Sequence, residues 1–522
     1  MGSDQPKGGH DPTPLPPSTG PSYNLRITFH RASNLPIADF ASRSCDPYIL
    51  AQINTSLPTR HPRDPKLRFR SPTIHRNVNP TFDAQWLISG VPSSGMTLKV
   101  RLFDEDANDY DDRLGKLEIE TGEIDEDWKG IKEKEYKVHK TGADVRAYTL
   151  RSCARLLDRT KELHARLVLS VEVLGKTKED GNVGKVYTVG CFWRTHYSPI
   201  IGRLTGTKGK DEHGVERFDF QANEIQLRGP VPNELYHRYV EFKSFVMGMF
   251  ESTGVRGKVL NRALHHQHAK IYNYNSRTRT GVFEDDQGPG REMTLKFLDM
   301  AHYDQGGRIF TYVVTLDGMF RFTETGKEFG IDLLSKHTMH SDVDIYIAWS
   351  GEFLIRRLSN PHSSSTAPDQ HTHPAEPLPN GPPSAPPPQD PESYELIIDN
   401  DSGTYRPLAS LIPIFQKFLQ SNFPGLHIHV MSCTDEKLTK IKDAQRATKG
   451  KEGDRMVYGQ GSVSGSNLSV DSSDEEELER RARNESEQHK AKVERLVEGM
   501  EKVKGFGKGK NGEGGGEGAV NT

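Results

Sequence analysis

Two acidic stretches and two groups of histidines are the parts of this 522-residue chain whose residue types could do chemistry. NLPIADFASRSCDPYI carries Asp39 and Asp46, and FDEDANDYDDRLG carries Asp104, Asp106 and Asp112. Calcium is a hard cation that takes about six to eight oxygen ligands, and aspartates spaced closely on two loops can supply them. His265, His266 and His268 lie in HHQH, and His337 and His340 lie in SKHTMHSD. Histidines three or four apart on a helix can share one face and ligate a metal, but no HExxH or HxxEH pattern accompanies these. They read first as surface or hydrogen-bonded core histidines. Another acidic pair, Asp399 and Asp401, closes the apolar run LIIDND. The four cysteines lie far apart, form no CxxC, and read as reduced thiols.

The acidic stretches fall where strands should end. LRITFHRA, TLKVRLFD and ARLVLSVEVL alternate apolar and polar residues with period two, so residues 22–175 read as one strand-rich unit. Residues 183–358 read as an α+β unit. Helices are expected at VPNELYHRYVEFKSFVMGMFES, with Pro232 in the first turn, and at VRGKVLNRALHHQHAKIY. Hairpins are expected at Asp317-Gly318 and around Gly351 in YIAWSGEFLIRR. Residues 359–392 form a Pro-rich linker, and 394–446 read as strand, helix, strand, helix, a small α/β segment expected to pack on the central body. Residues 1–20 and 447–522 read as disordered, the latter with a charged helix. At 34% hydrophobic residues the chain holds too little apolar material for one continuous packed body, so a multidomain protein with polar tails is expected.

The residues of the first unit also resemble a known family. DPYI after an upstream aspartate, NPTF in the middle, and D-x-D followed by D-x-x-G are similar to the C2 domain family. The resemblance implies an all-β sandwich of the circular permutation known as type II, with ARLVLSVEVL as its last strand and a helix inserted before it. It also implies calcium, held by Asp39 and Asp46 on the first loop and by Asp104, Asp106 and Asp112 on the third. Two first-loop aspartates in this family are often six apart; here they are seven. Converging carboxylates repel an anionic lipid surface, bound calcium cancels that repulsion, and lipid phosphate oxygens can complete its shell. Phe40 and Tyr110, near the loop tips, are then expected to enter the interfacial layer.

Basic residues would add a constant attraction. Lys66, Arg68 and Arg70 alternate along KLRFR and so share one strand face, matching where phosphoinositide-recognising C2 domains carry a basic cluster. Arg151, Arg155 and Arg159 recur at helical spacing, and the family's geometry puts that helix at the calcium-loop end. Each such charge contributes about 1 kcal/mol near an anionic surface.

Across 22–446, the stretches QLRGPVPNELYHRYVEFKSF, ALHHQHA, RFTETGKEF, SKHTMH, SGEF and DNDSGTYRP resemble fungal C2-domain proteins to which no activity is attached. LIIDNDSGTY is also similar to the nucleophile loop of haloacid-dehalogenase-like phosphatases, but the match fails at Gly403 and the long α/β domain those enzymes need does not follow. A polar strand-end turn is the better reading. A net charge of −3 gives no overall pull toward nucleic acid. No stretch approaches the roughly 18 apolar residues of a membrane-spanning helix. The first residues lack an apolar h-region, so no secretory signal is expected, and Pro6 stands where myristoylation wants Ser or Thr. The expected protein is cytoplasmic and leans away from being an enzyme. It docks reversibly on anionic phospholipid, with phosphoinositide a further candidate, while its central body holds an unknown protein partner. Two alternatives stay open. One is a membrane-recruited enzyme, metal-dependent or phosphate-handling, with its site in 183–446; the other is a calcium-independent interaction module.

Overall fold

Strand β1 (Ser22–Ser33) buries every second residue from Tyr23 to Phe29, as the period-two pattern requires. It pairs antiparallel with β4 (Thr81–Pro92) on one side and with β8 (Arg166–Lys176) on the other. Adding β7 (Ile131–Lys137) and the two-residue β9 (Tyr187–Thr188) gives a five-stranded sheet in the order β7-β8-β1-β4-β9. A second sheet, β3-β2-β5-β6, is built from β3 (Arg68–Arg70), β2 (Pro47–Asn54), β5 (Thr97–Asp104) and β6 (Asp112–Glu120). Between them Phe69 stacks on Phe29 and on Trp86, with ring centroids 5.9 and 5.4 Å apart. Each such buried side chain contributes about 1.5–3 kcal/mol.

The structure is a computed structural model that describes residues 13, 15, 20–37, 44–61, 64–105, 111–139, 164–177, 184–197, 208–210, 216–218, 220–238, 278–283, 290–303, 308–325, 346–358, 389–401 and 407–452. All of these belong to one compact unit, which runs to Ser462. Most of the expected tails and 359–388 of the Pro-rich segment lie outside the described residues, but 447–452, expected in the disordered tail, continue the helix that begins at Glu436.

A nine-stranded sheet follows the sandwich. Its strands are β10 (Phe192–Tyr197), β13 (Gln221–Gln226), β14 (His237–Arg238), β15 (Thr278–Val282), β16 (Ile309–Thr315), β17 (Met319–Thr325), β18 (Tyr346–Arg357), β19 (Tyr394–Asp399) and β20 (His427–Met431). The order is β15-β10-β13-β17-β16-β18-β19-β20, with β14 beside β18. β11 (Lys208–Lys210) and β12 (Glu216–Phe218) form a separate hairpin. One sheet face is aromatic. Helix α1 (Arg291–Met300) brings Phe297 onto Phe320, Phe322 and Phe353, and α2 (Ile412–Asn422) stacks Phe415 on Trp349 at 4.6 Å. Against the other face lies α3 (Glu436–Glu452), whose Leu438 packs with Ile309, Leu354 and Ile397.

Several expectations for this half change. Segment 394–446 is not a separate piece resting on the central body. β19 pairs antiparallel with β18, β20 joins β19 in parallel, and α2 is the crossover between them. Residues 359–392 therefore connect two hydrogen-bonded strands, Arg357 opposite Tyr394, and the Leu358 N–H donates to the Ser393 carbonyl at 2.9 Å. Gly351 is not at a turn. β18 runs straight through it, and a Cβ there would stand 2.2 Å from the Asp399 carbonyl oxygen, so the glycine admits a close backbone approach. Where a helix is expected from Pro232, Asn233–Leu235 form a 3-10 turn and the chain then extends as β14; the rest of that expected helix, 239–252, and the one expected at 255–272 lie outside the described residues. Asp317-Gly318 does close the β16–β17 hairpin, with Gly318 at φ +83°.

The sandwich and the nine-stranded sheet meet through β10. Alternation sends Phe192 to the sandwich core, edge-on to Phe69 at 6.3 Å, and Trp193 to the aromatic core of the larger sheet. The Arg194 guanidinium donates to the Arg70 carbonyl, the Tyr236 hydroxyl to the Asp64 carboxylate, and the Lys185 amine to the Val231 carbonyl.

Candidate functional site

The sandwich ends in a row of carboxylates because three strands terminate side by side. Asp46 immediately precedes β2, Asp104 is the last residue of β5, and Asp112 is the first of β6. Pro47 lies opposite Asp104, which in turn lies opposite Asp112. The pairing of β2 with β5 and of β5 with β6 thus brings together aspartates up to 66 positions apart in sequence. Asp104 is 0% exposed, and its carboxylate accepts the Asp46 N–H. The Asp46 carboxylate accepts the Arg76 N–H at 2.6 Å and lies 3.5 Å from the His75 ring. His75 and Arg76, on the connection from β3 to β4, are contacts that sequence reading missed.

Beneath the row sits a second layer of partners. The Tyr48 hydroxyl donates to Asp111 at 2.6 Å, and its ring stacks on Phe103 at 5.4 Å. Arg70 lies over the Tyr48 ring at 3.8 Å and donates to Glu105 at 3.2 Å. Glu105 is buried, and desolvation pushes its carboxyl up to about 7 against the opposing pull of Arg70. Burial likewise raises the Tyr48 phenol far above its usual range, so it stays a hydrogen-bond donor.

Asp39, Phe40, Asp106 and Tyr110 lie outside the described residues, as do Arg151, Arg155, Arg159, His265, His266, His268, His337 and His340. Both flanks of the Arg151 segment are described. His139 bridges Lys116, and the His164 carbonyl accepts from Asn34, just beyond the end of β1. That connection therefore returns to the end of the sandwich where the first loop begins.

The basic strand resolves into two parts. Leu67 and Phe69 point inward, while Lys66 is half-buried and Arg68 exposed, as the alternation predicts. Arg70, expected in the same cationic stripe, spends its guanidinium on Glu105 and Tyr48. Its carbonyl is gripped by Arg194. The edge of β3 is a seam inside the protein, so only Arg68 and Lys66 offer charge outward.

The other acidic strand end differs. Asp399 is 0% exposed; one carboxylate oxygen accepts the Glu352 N–H at 2.7 Å and the Asp401 N–H at 3.0 Å, and the other meets the Lys442 ammonium. Lys442 also holds Glu352 at 2.6 Å. Burial draws the lysine down, but the two carboxylates more than offset that and hold it above its ordinary value. Burial raises Asp399, with Lys442 opposing. An attacking carboxylate needs access to its substrate, and this one is enclosed.

A C2 family model matches residues 23–137. That segment is a C2 domain. Extended synaptotagmin-3 of Homo sapiens is 40% identical over 84 residues, which is 14% of this chain and 9% of that protein, so the chain spans a small part of the relative it matches. Among solved structures, a C2 domain of plant extended synaptotagmin 1 is 14% identical with a TM-score of 0.22, covering 31% of this chain and 100% of that one. The calcium-bound tandem C2 domains of extended synaptotagmin 2 are 18% identical with a TM-score of 0.21, covering 40% of this chain and 79% of that one. The donor chemistry at the loop end of the C2 domain suits a hard cation, since its adjoining strand ends carry carboxylates. Among the described residues no group of three or more such side chains is close enough to hold an ion by itself. No helix among them is long and apolar enough to cross a membrane.

Proposed function

We propose that this chain is a calcium-responsive peripheral membrane protein whose C2 domain docks reversibly on anionic phospholipid from the cytoplasm. The observation that carries the reading is the alignment of Asp46, Asp104 and Asp112 at three adjacent strand ends of a C2 domain. Asp39 and Asp106, on the loops leading to and from that row, complete the proposed ligand set. Calcium bound there supplies positive charge and open coordination positions for lipid phosphate. The chain's own residues prepare the site: Arg76 and His75 orient Asp46, and Asp46 orients Asp104. Arg68, Lys66 and the Arg151/Arg155/Arg159 segment add attraction that does not depend on calcium, and Phe40 and Tyr110 add interfacial contact. The nine-stranded sheet is the body this domain carries to the membrane, where it meets a protein partner.

The test is co-sedimentation of the full chain with phosphatidylserine vesicles, with and without calcium, for wild type and Asp104→Asn. Wild type pellets only with calcium, and the variant stays in the supernatant. Equal pelleting in all four conditions would falsify the reading.

A further inference from the structure

Far from the carboxylate row, on the five-stranded sheet, four strands lose register around one group of polar residues. Phe29, Leu169 and Val171 point into the sandwich core, so His30 and Ser170 belong to the opposite face. Against β8, β1 carries His30 as an extra residue between Phe29 and Arg31. Against that single histidine, β4 sets both Phe82 and Asp83. On the other side of β8, β7 sets Lys132 and Glu133 opposite Ser170. Asp83 and Glu133 also hold positive φ, +43° and +39°, a conformation that costs residues with a Cβ. Bulges re-aim side chains, and these bulges aim at one point.

Ser170 Oγ lies 2.8 Å from His30 Nε2, and the Glu133 N–H donates to the same oxygen at 2.9 Å. Asp83 Oδ1 lies 3.9 Å from the other ring nitrogen, Nδ1. Since Oγ already accepts the Glu133 N–H, its own proton is directed at Nε2. The Asp83 carboxylate favours the tautomer that carries its proton on Nδ1 and leaves Nε2 open as the acceptor. Hydroxyl, imidazole and carboxylate thus stand in the order that activates a serine. A backbone N–H aimed at Oγ adds to this, because it stabilises negative charge at the reacting centre.

We propose that this cluster is a hydrolytic site for carboxylic esters with a short, unbranched acyl group. Ser170 is the nucleophile, His30 its general base, and Asp83 a positioning residue. Ser170 is 5% exposed, so an acyl group with bulk beside its carbonyl cannot reach Oγ, which sets the substrate class. Oγ bonds to the ester carbonyl carbon as its proton passes to Nε2. The bond to the leaving alkoxide then breaks, and the alkoxide takes that proton and departs as the alcohol. Water next attacks the acyl carbon and gives a proton to His30. The bond to Oγ breaks, Ser170 regains its proton, and the carboxylic acid is released.

The test uses the full chain and p-nitrophenyl acetate, read by p-nitrophenol release and by the mass of the peptide that contains Ser170. That peptide should gain one acetyl group in wild type and none in Ser170→Ala. His30→Gln should slow acetylation of Ser170 about a hundredfold and remove the rise in rate with pH that a neutral imidazole base gives wild type. The Asp83 side chain is 70% exposed, so Asp83→Asn keeps the fold whatever the histidine variant does. It should slow acetylation about three- to tenfold, less than a buried carboxylate would, because water screens it. A wild-type Ser170 that stays unacetylated, or an unchanged rate in either folded variant, overturns the proposal and leaves the cluster as a brace for the bulges.

Discussion

The molecule contains the same short pattern twice, an apolar strand ending in D-x-D, and puts it to opposite uses. Asp104 closes β5 and Asp399 closes β19, and both are 0% exposed. Around Asp104 the neighbours are other carboxylate-bearing strand ends, and Arg70, a layer beneath, is committed to Glu105. Around Asp399 a lysine has entered, and its ammonium bridges Asp399 and Glu352. A hard cation and a lysine answer the same electrostatic need. Where the protein supplies its own cation the strand end is a structural joint. In the proposed calcium site the strand end takes an external one.

Removing the internal cation should break that contrast most severely. Lys442→Met removes the cation that bridges two buried carboxylates and should cost about 3–5 kcal/mol in urea unfolding of the full chain. A loss below about 1 kcal/mol would mean that Asp399 and Glu352 find another partner or simply protonate. Gly351→Ala attacks the same joint through the backbone, since the new Cβ must displace the Asp399 carbonyl; about 1–3 kcal/mol is expected by the same assay. Asp104→Asn should behave otherwise. The amide oxygen can still accept the Asp46 N–H, so calcium-free stability should move by less than about 1 kcal/mol while calcium-dependent pelleting disappears. If stability fell as far as in Lys442→Met, the two strand ends would be alike after all.

The smallest effect concerns the seam between the two regions. Burial, with Arg60 adding to it, holds the Lys185 amine down to about 7 from an ordinary 10.5. The unfolded chain binds the extra proton between those values, so this lysine makes wild-type stability rise as pH climbs from neutral toward alkaline. Lys185→Met should flatten that slope, read as the difference between urea midpoints at about pH 7 and about pH 9. An unchanged slope would place the amine in water.

Much of the C2 domain was legible because period-two alternation and the D-x-D loops are local signals. The larger sheet was harder to read. In YIAWSGEFLIRR the glycine reads as a turn, since nothing in the sequence shows that Asp399, 48 positions on, will press against it. The Pro-rich stretch reads as a linker between bodies, because strand pairing across it leaves no mark on composition. Arg70 reads as a solvent-facing charge, since its partner Glu105 lies 35 positions away and Arg194 lies 124 away. Lys442 did leave a trace: it follows Ile441 and sits four residues after Leu438, on the side of α3 that faces the sheet. A lysine on an apolar helix face asks for a buried acid, and the D-x-D at 399–401 was the available one.

Phe192 and Trp193 are neighbours in sequence, and each is half-buried against a different core. A single peptide bond is thus all that separates a residue packed on the C2 core from one packed on the core of the nine-stranded sheet, and β9, just before them, still pairs with β4 of the sandwich. A C2 domain cut free ahead of Tyr187 would lose the Thr188 hydroxyl that accepts the Trp86 indole N–H, along with the cover Phe192 gives Phe69. Anyone transplanting this module should carry the first strand of its neighbour with it. A pull on the loop end of the C2 domain would reach the larger sheet without a slack tether in between.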